Sequence, residues 1–149
     1  MSSLIAAFVN LAIALRLAAA VPVTDPLLHV EHATTAAGYD LPVEIVLAIA
    51  WHESGLTAAP PDQEPHHCGV MQVAPRWTGV PCAELRGIAR GYAVGVDVLR
   101  RWLWHSHGAM MPAVRAYRCG WAGLERACPE DPGYGERVLA LATKLGWRP

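Results

Sequence analysis

Residues 41–53 constrain the fold more than any other stretch of the chain. Val43, Ile45, Val46, Leu47, Ile49 and Trp51 leave almost no polar side on a helix of this length. A helix that is apolar all round has to run through a core, with other elements packed about it. Asp40 stands where a cap belongs, and Pro42 falls in the first turn, where its missing N–H costs nothing. Ser54-Gly55 supplies the stop. At the far end of this apolar helix sits a carboxylate, Glu53, four residues beyond Ile49 and eight beyond Ile45, so all three share one face.

Two readings of Glu53 follow. Burial disfavours the charged form of a carboxyl group and moves its pKa toward neutrality, which suits a general acid. Alternatively, a glutamate at a helix C-terminus reaches solvent, or pairs with a cation such as Arg76 or Arg118. On periodicity alone the second is the simpler reading.

The remaining elements are mainly helical. Pro26–Ala37 is predicted as a helix capped by Asp25, with a break at Gly38-Tyr39-Asp40. Residues 56–87 hold five of the twelve prolines, with Gly69, Gly79, Gly87, His66 and His67 among them, and should form an irregular lobe with little strand. From Ile88 a helical period returns. Ile88, Tyr92, Gly95, Val96, Leu99, Trp102 and Leu103 fall on one face, and Arg90, Asp97, Arg100 and Arg101 on the other. A shorter helix over 112–117, a loop bounded by cysteines and a last helix near 135–145 complete the chain. With 149 residues, 53% apolar and 17% charged, the expectation is one packed domain over 25–149. The net charge of −1 shows no basic excess of the kind that marks a nucleic-acid binder.

Residues 1–22 stand apart as an almost unbroken Ala/Leu/Ile/Val run ending in Ala18-Ala19-Ala20, as at a signal-peptide cleavage site. No Lys or Arg precedes the run, and Arg16 interrupts it. An export signal, a signal-anchor and an apolar helix packed on the domain or on a partner are the three readings. The last two allow contact with a membrane, a virion or a secretion apparatus. Cys68, Cys82, Cys119 and Cys128 allow three pairings. Cys68–Cys82 with Cys119–Cys128 is preferred because each closes a short local loop. The rival is a zinc site drawing on His66, His67, Cys68 and Cys82, but no Cys-x-x-Cys or His-x-x-x-His pair is present, and no metal or other cofactor is expected.

Four motifs in order then bear on Glu53. Trp51-His52-Glu53-Ser54-Gly55 resembles the Glu-Ser motif of the soluble lytic transglycosylases, relatives of goose-type lysozyme. Cys68-Gly69-Val70-Met71-Gln72-Val73-Ala74-Pro75 is similar to their Gly-Leu-Met-Gln segment. Ala116-Tyr117 followed by Gly120 resembles their Ala-Tyr-Asn motif, and Tyr134 with Arg137-Val138-Leu139 is similar to their last tyrosine-bearing helix. Each motif alone is weak; their shared order and spacing over 26–146 is not.

The resemblance implies a lysozyme-like, mainly α (α+β) domain with a cleft-forming lobe. It also implies cleavage of the β-1,4 bond between N-acetylmuramic acid and N-acetylglucosamine in peptidoglycan glycan strands. Glu53 would protonate the leaving oxygen and then take the proton of the muramoyl 6-hydroxyl, giving 1,6-anhydro ends. Ser54 and Gln72 would brace the site, Gly69 would let the backbone approach the sugar, and Met71 would line the cleft. Tyr117 and Tyr134 would pack about the carboxylate. Such an enzyme acts in the periplasm or cell wall, exported or virion-associated, in phage lysis or entry or in wall opening for secretion or conjugation.

Glycoside cleavage ordinarily uses two carboxylates. The lobe offers only Asp62, Glu64 and Glu84, none set to pair with Glu53. One acid/base suffices if the substrate supplies its own nucleophile. The pattern is broken at Arg118, where the family motif has Asn, which bears on the substrate contacts. His52 is either a core histidine or reaches the cleft, Trp77 either stacks on a sugar or packs a helix, and His66 and His67 read as loop residues. A hydrolytic muramidase and a non-catalytic glycan-binding module are the alternatives.

Overall fold

In the computed structural model, residues 3–57 and 66–149 are described. Among these residues the fold is mainly α: α1 (Ser3–Ala20), α2 (Pro26–Ala37), α3 (Val43–Ser54), α4 (Pro75–Thr78), α5 (Cys82–Leu85), α6 (Ile88–His105), α7 (Met110–Cys119), α8 (Trp121–Glu125) and α9 (Tyr134–Leu145). The only extended pairing among them is a single bridge between Cys68 and Val73.

α3 is the central element, as its all-apolar character requires. Residues 45–50 are all buried, enclosed by α2 and α9. Its start differs from expectation: Pro42 occupies the cap position with no side-chain hydrogen bond, and Asp40 does not cap it. Arg100 of α6 takes Asp40 instead, at 2.9 Å to each carboxylate oxygen. The same guanidinium donates to the carbonyls of Ala36 and Ala37 at 3.0 Å. It thus satisfies open carbonyls at the end of α2, which need a donor that a carboxylate cannot be. Asp25 does cap α2, accepting from the Leu28 N–H.

α6 follows the predicted face, burying Tyr92, Gly95, Val96 and Leu99 against α2 and α7. Tyr92 and His29 of α2 share a 2.8 Å hydrogen bond inside this contact. Burial holds the imidazole pKa down and pushes the phenol up, so both stay neutral. The lobe is less irregular than expected, because Pro75 and Pro81 nucleate α4 and α5. The 112–117 helix runs longer, from Met110 to Cys119, and α8 interrupts the loop that follows.

α1 lies on α2 and α9, burying Ile13, Ala14, Leu17 and, just beyond it, Val21. Arg16, the charge that breaks the apolar run, donates to the Leu145 carbonyl at the end of α9. Ile5, Phe8, Val9, Leu11 and Leu15 are exposed. No described helix is long and apolar enough to cross a membrane.

A chain beginning at Val23 should therefore be less stable than the full chain. Losing the burial of Ile13 and Leu17 removes about 1.5–3 kcal/mol each at most. A thermal melt should fall by at least about 5 °C; an unchanged melt would show that α1 adds nothing to the domain.

Candidate active site

α3 ends where Gly55 adopts the left-handed conformation, φ 65°, and returns its N–H to Trp51. That geometry leaves Glu53 in the last turn, 6% exposed. Tyr134, the first residue of α9, is itself buried and donates its hydroxyl to Glu53 Oε1 at 2.6 Å. The other oxygen, Oε2, lies 3.4 Å from Arg118 Nη1. Arg118 is far more exposed than the carboxylate, 43% against 4% by side chain, and its guanidinium also sits 5.8 Å over the Tyr134 ring. Both sequence readings of Glu53 are therefore met in part: it is buried, and it has a cation at its mouth.

The balance decides its chemistry. Burial raises the Glu53 pKa and is the largest influence. The Tyr134 hydrogen bond and the Arg118 charge act the other way, Asp131 adds to the rise, and the net shift is upward. Tyr134 and Tyr117 are both pushed well above the ordinary phenol range, by burial first and then by the Glu53 charge. Tyr134 is thus a neutral, permanent donor. The site holds a carboxyl group poised to keep or return a proton.

Residues 68–73 make a tight turn closed by the Cys68 and Val73 backbones, each donating to the other at 2.9 Å. Three successive carbonyls of this turn are met by side chains from three directions. Gly69 accepts from Gln72 Nε2 at 3.0 Å, Val70 from Ser54 Oγ at 2.7 Å, and Met71 from Tyr117 Oη at 2.8 Å. Ser54 lies one residue beyond Glu53 and Tyr117 one before Arg118, so the turn is tied to the elements that carry the charged groups. Gln72 adopts φ 48°, an uncommon conformation for a side-chain-bearing residue, and its Oε1 is buried without a partner.

Gly69 and Met71 each have a packing role in the fold. At Gly69, φ 79°, a Cβ would collide with the Leu85 carbonyl, so the missing side chain lets α5 close on the turn. Met71 is fully buried, with its sulfur packed over Gly95 of α6, where a Cβ could not fit. It contributes its carbonyl to the site rather than an exposed side chain.

Cys68–Cys82 and Cys119–Cys128 are bonded, with Cα separations of 5.4 and 5.8 Å. The first fastens the turn to α5, and the second fastens the residue after Arg118 to the loop leading into α9. Bonded to each other, Cys68 and Cys82 offer no thiolate to a zinc ion. Among the described residues no group of three or more His, Cys, Asp or Glu is placed to hold a metal.

Among the described residues of the lobe, no second carboxylate joins Glu53. Glu84 is exposed on α5 and pairs with Arg90; Asp62 and Glu64 lie outside the described residues. Asp131, which sequence reasoning passed over, is near enough to raise the Glu53 pKa but is held bidentately by Arg137 at 2.7 and 2.9 Å. Its place three residues before Tyr134, at the mouth of α9, was the available signal. His52 is half-buried edge-on to Tyr134, 6.2 Å between centroids, and burial holds its pKa down. His67 is half-buried, its pKa lowered by burial and by Arg76 and Arg118, whereas His66 is exposed. Trp77 is 72% exposed, with Arg76 over its ring.

Comparison with protein-family models, with curated proteins and with solved structures finds no match. The case for a function therefore rests on the residues of this site.

Tyr134→Phe and Arg118→Gln each remove a group that favours the carboxylate, so each should raise the Glu53 pKa further. Carboxyl-carbon NMR titration reads this directly; an unmoved titration in both variants would show that neither group sets it. Since the folded-state pKa of Glu53 is raised, its ionisation opposes folding. Wild-type stability should decline as pH rises from the ordinary carboxylate range through the folded pKa. Glu53→Gln should lack that decline in pH-dependent melts.

Proposed function

We propose that the chain is a peptidoglycan lytic transglycosylase with a lysozyme-like fold, and that Glu53 is its acid and base. The observation that carries this reading is the buried carboxyl group at the end of an apolar helix, raised in pKa and held by Tyr134. The four motifs in order supply the reaction: Glu53-Ser54, Gly69 to Gln72, Ala116-Tyr117 and Tyr134.

In this scheme protonated Glu53 gives its proton to the glycosidic oxygen as the muramoyl C1–O bond breaks. The resulting carboxylate then takes the proton of the muramoyl 6-hydroxyl as that oxygen bonds to C1. The products are a free 4-hydroxyl on N-acetylglucosamine and a 1,6-anhydromuramoyl end. No water is consumed and Glu53 is restored. One carboxyl group can serve both steps because its environment favours the protonated form while Tyr134 and Arg118 stabilise the anion between them. Ser54, Gln72 and Tyr117 position the 68–73 turn through its carbonyls. The two disulfides suit an oxidising compartment, in keeping with action on the wall as an exported or virion-associated protein.

Glu53→Gln should fold and yet lose wall cleavage by about 10⁴-fold or more, because the amide neither gives nor takes the proton. Ser54→Ala and Gln72→Ala should cost less. Turbidity loss of purified walls, read beside circular dichroism, measures both. Mass spectrometry of the digest separates anhydro ends from the reducing ends that a hydrolytic muramidase leaves. A folded Glu53→Gln protein with wild-type turnover would overturn the proposal.

A further inference from the structure

A row of aromatic rings lies outside the Glu53 site. Trp104, His105 and Trp121 stack edge to face with centroids 4.8 and 4.5 Å apart, and Trp102 closes on Trp121 at 5.3 Å. Trp104 is 76% exposed and Trp121 64%. Water-facing indoles at both ends of a fixed row are unusual on a folded surface, where isolated apolar side chains are the norm. Trp104 also borders two hollows of about 460 and 440 Å³, neither of which is lined by Glu53. His105 and His107 edge the first hollow, and Asp40 and Arg100 the second.

The backbone beneath is built to hold this shape. His107 and Gly108 turn the chain from α6 to α7 with φ of 54° and 83°, and Ser106 Oγ bridges to the Ala109 carbonyl at 2.8 Å. At the other end, Trp121 opens α8, just after the Gly120 turn that ends α7.

We propose that this Trp104–His105–Trp121 row, with the hollows on either side of Trp104, is a second binding surface for β-linked N-acetylhexosamine strands. It rests on the proposed function for the identity of the polymer. Alternation is what selects a sugar. A pyranose offers an apolar C–H face, which packs on an indole ring, bounded by hydroxyl and acetamido groups that need donors and acceptors. Here two exposed indoles are separated by the His105 imidazole, with His107 at the first hollow and the Asp40–Arg100 pair at the second. The surface would hold a strand while Glu53 acts on another part of it.

The test uses the full chain carrying Glu53→Gln, so that strands are bound without being cut. The probes are peptide-free glycan strands and chitin oligosaccharides, titrated by tryptophan fluorescence, together with cosedimentation on insoluble walls. Trp104→Ala and Trp121→Ala should each weaken strand binding about tenfold, the ratio expected for one lost aromatic contact. Phe8→Ala, which removes an exposed ring from α1, should not. All three side chains are largely exposed, and thermal melts check that the variants fold. Parent-like binding by both tryptophan variants, equal loss in Phe8→Ala, or no strand binding by the parent would overturn the surface. If the wild-type chain binds strands through the row but never cuts them, the proposed reaction fails and the surface stands. If it cuts them while the row variants bind as the parent does, the reverse holds.

Discussion

The 2.6 Å hydrogen bond from Tyr134 to Glu53 joins the last turn of α3 to the first residue of α9. Without it, the end of the central helix would bury a carboxyl group with only Arg118 for company. An unsatisfied polar group in such a place costs several kcal/mol, and an unpaired charge more. The rest of the site can be understood as what that bond requires. α9 must start where α3 stops, and the Cys119–Cys128 bond constrains the intervening chain near its beginning. Val138, Ala142 and Leu145 then bury one face of α9 in the same core as α3.

The 68–73 turn is organised by its main chain. The Gly69, Val70 and Met71 carbonyls each accept from a side chain that belongs to one of the four motifs. Ser54, Gln72 and Tyr117 are thus spent on backbone oxygens, not on Glu53. This gives Ser54, Gln72 and Tyr117 a physical function that needs no substrate: they hold a loop of left-handed and close-packed residues in place. It also explains why small residues recur. Gly69 admits Leu85 and Gly95 admits Met71, so the turn is clamped from both sides.

Arg118 sets the charge at the mouth of the site. An amide there would leave the mouth of the site neutral. The guanidinium instead lowers the Glu53 pKa against the rise that burial causes, and it covers the Tyr134 ring. Acidity at this site is a compromise between desolvation and one surface cation, and the cation is the exposed, adjustable part. Its influence should weaken as salt screens it, while the burial of Glu53 is indifferent to salt.

Much of this was legible along the chain. The apolar period of 41–53 settled which helix is central, and Asp25 marked the start of α2. Local closure favoured the cysteine pairs that the structure shows, though the chain alone left three pairings open. The amphipathic period of 88–103 settled the buried face of α6. These are local or one-dimensional properties, and a chain carries them before it folds. Three-dimensional packing decided the rest. Asp40 looked like a cap and became a partner of Arg100, since a cation sixty residues away offers two hydrogen bonds where a helix N-terminus offers one. That Gly69 packs against α5 and Met71 against α6 was not legible along the chain, because those neighbours arrive from distant positions. The sequence by itself determined that a carboxylate ends the core helix. Only the tertiary structure decided that it is buried against Tyr134 and capped by Arg118, because burial and charge proximity depend on which distant residues arrive.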